Sequence, residues 1–151
     1  MYLGGKMEGE VEIKCDADEL FQICSGKKAH TAQNLSPDKV SKLDLHEGEW
    51  RDHGSIKVWT YVTEGKVETF KEKVTIDDEN KTVHLTAVEG HCLDLYKSYN
   101  IIYQIIHKGE TNVLKITIEY EKRIEDVPPP QKYMDFIIDL VKDLDAKLVM
   151  A

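Results

Sequence analysis

An amine and a carboxyl group in this 151-residue chain are predicted to face its interior. In "SIKVWTYV", Lys57, Trp59 and Tyr61 share one face of a strand. We predict that this face is the inner one, because Trp and Tyr bury more apolar area than the Ile and Val opposite them. In "VETFKEKVTI", the parity of Phe70 carries Glu72 inward, provided that no bulge shifts the register. Such groups among apolar walls are typical of a small-molecule pocket; alternatively, both side chains extend to water at the rim.

A second candidate for chemistry is "GEWRDHGSIK", residues 48–57, which could be a phosphate-binding loop or a plain connection between strands. Successive small residues allow backbone N–H groups to converge on an anion. Here two acidic residues, Glu49 and Asp52, and several bulky side chains separate Gly48 from Gly54. These side chains restrict the positive φ angles that an anion-binding loop needs. We therefore predict a strand connection, anchored by Trp50.

The metal-ligating residue types do not form a recognisable motif. The six histidines are scattered, and the three cysteines lack the spacing of a zinc site. An odd number of cysteines cannot all pair, so reduced thiols are expected. We predict no metal site and no cofactor.

The net charge of −8 makes nucleic acid an unfavourable partner, since no Lys/Arg cluster is longer than a pair. Membrane insertion is not expected either, because no apolar run approaches 18 residues. The N-terminal residues do not resemble a secretion signal. We expect a cytoplasmic protein.

Helical and strand patterns follow one another along the chain. Alternation from Leu3 to Cys15 predicts a strand, in which Gly9 marks a bulge or a close contact. Asp16, followed three residues later by Glu19, predicts the start of a short helix. A second short helix is predicted over residues 27–35.

Between residues 40 and 123 the pattern has a period of two and is broken by hairpin-length turns, which predicts six more antiparallel strands. Three prolines at 128–130 end the last strand. Residues 131–149 then show apolar positions at helical spacing. The predicted fold class is α+β, with a seven-stranded antiparallel sheet, two short helices after the first strand and one long C-terminal helix.

Alternation also predicts which side chains the remaining elements turn inward. In the later strands these are Val83, Leu85, Ala87, Tyr99, Ile101, Tyr103, Leu114 and Ile116. On the long helix they include Met134, Ile137, Ile138 and Val141.

This order of elements, together with several short motifs, resembles the major latex protein family, within the birch-pollen-allergen and pathogenesis-related class-ten superfamily of plants. The motifs are LGGK at 3–6, GEW and GS within 48–55, VEG at 88–90 and YK at 96–97. The resemblance covers essentially the whole chain. It implies a single helix-grip (START-like) domain over residues 1–151, whose curved sheet surrounds a hydrophobic cavity.

By that resemblance, the chain is expected to bind hydrophobic or amphipathic small molecules such as steroids, fatty acids, flavonoids or hormones, in plant defence or stress response. The cavity is expected to be lined by the inward residues named above, including Glu72. Lys57, Tyr61 and Tyr99 would orient a polar group of the ligand.

Three alternatives remain open at the level of sequence. Some members of the superfamily are enzymes that condense or rearrange small molecules, and Lys57, Glu72 and Tyr99 are the available acid-base groups here, although they do not match that group's motif residue by residue. Ribonuclease activity has less support, because the chain has no basic groove. A ligand-dependent interaction with a protein partner is compatible with the binding role.

Overall fold

The computed structural model describes residues 2–150, so the two ends of the predicted 1–151 domain lie outside the described residues. It contains seven strands and four helices in the described part. In chain order they are β1 (Gly4–Ile13), α1 (Ala17–Cys24), α2 (His30–Leu35), β2 (Val40–Glu47), β3 (Ile56–Thr63), β4 (Lys66–Asp77), β5 (Thr82–Gly90), α3 (Cys92–Leu95), β6 (Tyr96–Lys108), β7 (Thr111–Lys122) and α4 (Gln131–Met150).

All seven strands form one antiparallel sheet in the order β1-β7-β6-β5-β4-β3-β2. Strands β2 to β7 are neighbours in chain order, as expected for strands joined by hairpins, whereas β1 pairs with β7. This arrangement confirms the predicted α+β helix-grip fold, in which the long helix lies against a curved sheet.

The short helices differ in detail from the sequence prediction. Asp16 caps α1 as predicted, because its side chain accepts a hydrogen bond of 3.0 Å from the Glu19 N–H. The second helix begins at His30 rather than at residue 27, since Gly26 has a φ of +103° and directs the chain into turns first. The one-turn helix α3 was not predicted, because its four residues are too few to show a helical period.

Helix α4 approaches the sheet closely at Gly9 of β1. A Cβ atom at this position would lie 3.0 Å from the Met134 sulfur and 3.1 Å from Cδ1 of Ile138. The pairing of β1 with β7 has no register shift, so Gly9 provides a close contact and not a bulge. The helix therefore fills the space over this side of the sheet.

The other end of α4 is attached to β1 through Asp145, a buried carboxylate. It accepts hydrogen bonds from the backbone N–H groups of Lys14, at 3.0 Å, and Cys15, at 2.9 Å. These donors lie just beyond the end of β1 and would otherwise lack a partner in the ladder. Asp145 thereby fixes the helix against the turn that leads into α1.

Candidate functional site

A cavity lies between the inner face of the sheet and helices α1 and α4. Its volume is about 100 Å³, on a scale on which one buried water needs about 10–15 Å³. Lys57 contributes an amine to the lining, and Glu72 contributes a carboxyl group. The lining consists of Leu20, Ile23, Cys24, Gly26, Val40, Lys57, Trp59, Tyr61, Phe70, Glu72, Val74, Leu85, Cys92, Tyr99, Ile101, Tyr103, Tyr133, Phe136, Ile137, Leu140, Val141 and Leu144.

Lys57 is a buried lysine at one end of the cavity. Only 1% of the residue is exposed, and its Nζ donates a hydrogen bond of 2.8 Å to Oγ of Ser55. Gly26 lies against the amine, and a Cβ atom at that position would collide with Nζ. Burial lowers the pKa of Lys57, and the negative charges of Glu72 and Asp52 only partly oppose this shift.

Glu72 lies directly opposite Lys57 in the pairing of β3 with β4 and is 2% exposed. The indole N–H of Trp59 donates a hydrogen bond to its Oε1 atom. Burial raises the pKa of Glu72 to about 7, although the Lys57 charge and the Trp59 hydrogen bond act in the opposite direction. A substantial fraction of this carboxyl group is therefore protonated at neutral pH.

Aromatic rings form much of the remaining wall. The ring of Tyr99 meets those of Phe70 and Tyr133 edge-on, with centroids 5.8 Å and 5.7 Å away. Tyr61 packs against Phe136 of α4, at 4.9 Å between centroids. Such rings provide a large apolar surface together with a few hydroxyl groups. The wall therefore matches a ligand that is mostly apolar.

A polar cluster of Glu68, Tyr61, Tyr133 and Lys132 joins β4 to the first turn of α4. Oε1 of Glu68 accepts hydrogen bonds from the hydroxyls of Tyr61, at 3.1 Å, and Tyr133, at 2.7 Å. Oε2 accepts one from Lys132, also at 2.7 Å. Burial raises the pKa of Glu68, but these hydrogen bonds outweigh it, and the resulting pKa lies below the ordinary value. The Tyr61 hydroxyl is thus already bonded within the wall.

The structure brings ten of the sixteen sequence-predicted site residues to the cavity wall. They are Lys57, Trp59, Tyr61, Glu72, Leu85, Tyr99, Ile101, Tyr103, Ile137 and Val141. The other six lie outside the lining. They are Val83, Ala87, Leu114, Ile116, Met134 and Ile138.

Packing explains why these six lie elsewhere. Leu114 and Ile116 belong to β7, which pairs with β1 on the side that α4 covers. Met134 and Ile138 face Gly9 there. That side of the sheet is thus solid core.

The two exceptions on β5 have their own reasons. Val83 is fully buried at the end of β5 near α1, where Nζ of the adjacent Lys81 lies 5.0 Å from the ring centre of Phe21. Ala87 lies opposite Glu72, whose longer side chain occupies the wall at that point.

Several lining residues were missed by sequence reasoning. Phe70 and Val74 share the parity of Glu72, so their inward direction was readable, and the spacing of Leu20, Ile23 and Cys24 is that of an amphipathic helix. For the other missed residues, no local sequence pattern indicates a position in the cavity wall, because only the tertiary fold brings them there. The missed residues are Leu20, Ile23, Cys24, Gly26, Val40, Phe70, Val74, Cys92, Tyr133, Phe136, Leu140 and Leu144.

The loop over residues 48–55 is organised by its own side chains. Asp52 accepts a hydrogen bond of 3.2 Å from the Glu49 N–H. The ring of Trp50 packs on His30, with centroids 4.1 Å apart. A carboxylate therefore already occupies the position near the backbone N–H groups that an external anion would need. This geometry is that of a strand connection which also encloses the Lys57 end of the cavity.

The proposed acid-base set of Lys57, Glu72 and Tyr99 is only partly assembled. Lys57 and Glu72 are cross-strand neighbours. The ring of Tyr99 instead packs among those of Phe70, Tyr96 and Tyr133, and Tyr103 contributes a second phenol to the cavity wall. Burial raises the pKa values of both phenols well above 10.

Residues 2–150 contain neither a metal-binding cluster nor a membrane-spanning helix. No group of three or more His, Cys, Asp or Glu side chains is placed to hold a metal ion in this range. None of its helices is both long enough and apolar enough to cross a membrane.

Comparison with known proteins places this geometry in a family context. The model of the "Pathogenesis-related protein Bet v 1 family" matches residues 2–151 of this chain. MLP-like protein 328 of Arabidopsis thaliana is 36% identical over 156 residues, with all of both chains covered. Major latex protein 22 of Papaver somniferum is 35% identical over 147 residues, which cover 97% of this chain and 91% of that protein.

Solved structures agree with this assignment. A crystal structure of ginseng major latex-like protein 151 from Panax ginseng superimposes on this chain with a TM-score of 0.91 at 34% identity. The match covers 96% of this chain and 97% of the ginseng chain. A norcoclaurine synthase from Thalictrum flavum has a TM-score of 0.74 at 20% identity, covering 99% and 97%. The second comparison establishes only a shared fold.

Proposed function

Because the chain belongs to the pathogenesis-related Bet v 1 family, we propose that it is a non-catalytic carrier of hydrophobic or amphipathic small molecules. The resemblance to major latex proteins is confirmed by relatives of that name over nearly the whole chain. The observation that supports the proposal is the cavity itself, whose wall is apolar except for a few convergent polar groups. The 1–151 chain would act as one binding domain.

The candidate ligands are steroids, fatty acids, flavonoids and hormone-like molecules, all of which pair an extended apolar body with one or two polar groups. Affinity would come from the burial of ligand area against the aromatic wall. Lys57 and Glu72 would receive the polar group, since Tyr61 is bonded to Glu68. A cytoplasmic role in plant defence or stress response is part of this proposal.

The test is displacement of an environment-sensitive apolar dye. We expect the purified protein to bind the dye, and fatty acids or steroids to displace it. Leu140→Trp places a larger side chain in the cavity wall and should weaken dye binding about tenfold or more, because it removes space for the ligand.

Val149→Trp provides the matched control, since Val149 lies on the same helix and is exposed. This variant should bind the dye like the wild type. Absence of dye binding by the folded wild type, or equal weakening by both variants, would contradict the cavity proposal.

An enzyme of the same fold is the second candidate. The observation that favours it is the buried pair of Lys57 and Glu72, which provides an amine and a carboxyl group in one cavity. The two functions differ in what happens to the ligand. A carrier would return a ligand isolated from its source tissue unchanged after prolonged incubation, whereas an enzyme would convert many equivalents of it, which mass spectrometry would detect.

A further inference from the structure

The amine of Lys57 is placed like a nucleophile rather than like a structural cation. Its hydrogen-bond partner among residues 2–150 is the neutral hydroxyl of Ser55. A buried ammonium group without a bonded carboxylate is costly, so burial shifts this amine towards its uncharged form. The uncharged form carries the lone pair that attacks a carbonyl carbon.

Glu72 supplies the proton that such chemistry requires. It faces Lys57 across the strand pair, and one of its oxygens is bonded to Trp59. Both side chains line the same cavity. A carbonyl group in the cavity, next to these two cross-strand neighbours, would thus meet both an amine and a carboxylic acid.

The surroundings of Lys57 favour a condensation product of its amine with a carbonyl compound over the hydrolysis of that product. The rest of the wall is apolar apart from a few tyrosine hydroxyls, and the loop of residues 48–55 together with Gly26 encloses the amine. Exclusion of water from such a site stabilises a product whose formation releases water. The aromatic wall offers a place for an apolar tail attached to the carbonyl.

We propose that Lys57 captures aldehydes or ketones with an apolar tail covalently and reversibly, as an imine, within this cavity. Nζ attacks the carbonyl carbon, a C–N bond forms as the C=O π bond breaks, and the oxygen takes up the proton that the nitrogen gives up, which yields a carbinolamine. Glu72 then protonates the hydroxyl, which leaves as water while the C=N bond forms. No oxidant or reductant takes part, and Glu72 as a carboxylate balances the protonated imine.

This inference rests on the proposed binding function. A comparison of nonanal with 1-nonanol tests binding and imine formation separately. Both compounds have the same apolar tail, but only nonanal can form an imine. We expect both to displace the dye. We expect cyanoborohydride to convert only the nonanal complex into a stable adduct, seen as one added alkyl group in the intact mass and assigned to Lys57 by peptide mapping.

Variants locate the reacting groups. Lys57→Met keeps an unbranched apolar side chain but should abolish the adduct, whereas Lys66→Met, at an exposed lysine, should leave it unchanged. Glu72→Gln should slow adduct formation by about tenfold or more, because general acid catalysis typically contributes at least that much. Mapping of the wild-type adduct needs no variant, so poor folding of Lys57→Met would not prevent the test.

The outcomes are distinguishable. Failure of both compounds to displace the dye would contradict the binding function. Displacement by both without an adduct at Lys57 would leave binding intact and overturn the imine proposal. Labelling spread over surface lysines, or labelling of Lys57 that excess 1-nonanol does not suppress, would overturn it as well.

Discussion

Lys57 and Glu72 are buried side by side without forming a direct ion pair. Removing two charges from water is costly unless their mutual attraction repays it, and here the attraction is incomplete. Burial lowers the pKa of the amine and raises that of the carboxyl group, so both shifts favour uncharged forms. These two residues therefore couple the stability of the fold to the pH of its surroundings.

Glu72→Gln should change the pH dependence of stability. Because burial raises the pKa of Glu72 from 4.5 to about 7, the folded chain holds this proton more tightly than the unfolded chain. The resulting stabilisation is fully present below pH 4.5 and is lost as the pH rises through about 7. We expect the difference in unfolding free energy between wild type and variant to fall by on the order of 3 kcal/mol across this window.

Urea unfolding at a series of pH values measures this difference. Glu110→Gln, the same substitution at an exposed position, serves as the control and should give a difference that stays nearly constant. A difference for Glu72→Gln that increased with pH would show that the folded state favours the ionised carboxylate.

At the scale of elements, the cluster around Glu68 attaches the start of α4 to β4. Glu68→Gln should destabilise the chain by about 1–3 kcal/mol, because a buried carboxylate with three hydrogen bonds would be replaced by an amide that cannot accept all of them. Chemical denaturation measures the loss. Hydrogen exchange should show the largest loss of protection in the first turns of α4.

The exposed ion pair between Glu10 and Lys108, with a separation of 3.0 Å, gives the matched comparison. Glu10→Gln should cost less than about 1 kcal/mol, since solvent screens surface ion pairs. Equal effects of the two substitutions would mean that burial adds nothing to the Glu68 cluster.

Helix α4 shows how far an element can be predicted from its periodicity. Its extent was predicted to within a residue, and Ile137 and Val141 line the cavity as expected. The surface of α4 that faces the cavity also includes Phe136 and Leu140, while Met134 packs against the sheet. The helical period of the sequence identifies the buried face of a helix. It does not show which residues of that face pack in the core and which line the cavity.

For the whole molecule, occupation of the cavity should raise global stability. A ligand that binds only the folded state at about 100 times its Kd adds about 2.7 kcal/mol to the free energy of unfolding. Denaturation with and without the apolar dye at that concentration measures this increase. The same dye concentration should stabilise Leu140→Trp less, and an equal increase in both proteins would indicate binding outside the cavity.

The sheet was predictable from sequence because alternation and turn residues are local signals. The hairpin pairing of β2 to β7 and the inward parity follow from them, so that Lys57 and Glu72 could be assigned to the interior, whereas the pairing of β1 with β7 has no local signal. The boundary between filled core and open cavity was not predictable, because it depends on where α4 crosses the sheet. Cys92 illustrates this, since it reaches the wall from the one-turn helix α3, which is too short to show a periodic pattern.

The close approach of α4 to Gly9 has a consequence for selectivity. Met134 and Ile138 rest where a side chain on β1 would otherwise stand, so the absence of a side chain at Gly9 allows the helix to lie close to the sheet at this point. A larger residue there would act as a spacer and deepen the space beneath the helix. Capacity for bulkier ligands can thus evolve from outside the binding wall, through a residue that no ligand touches.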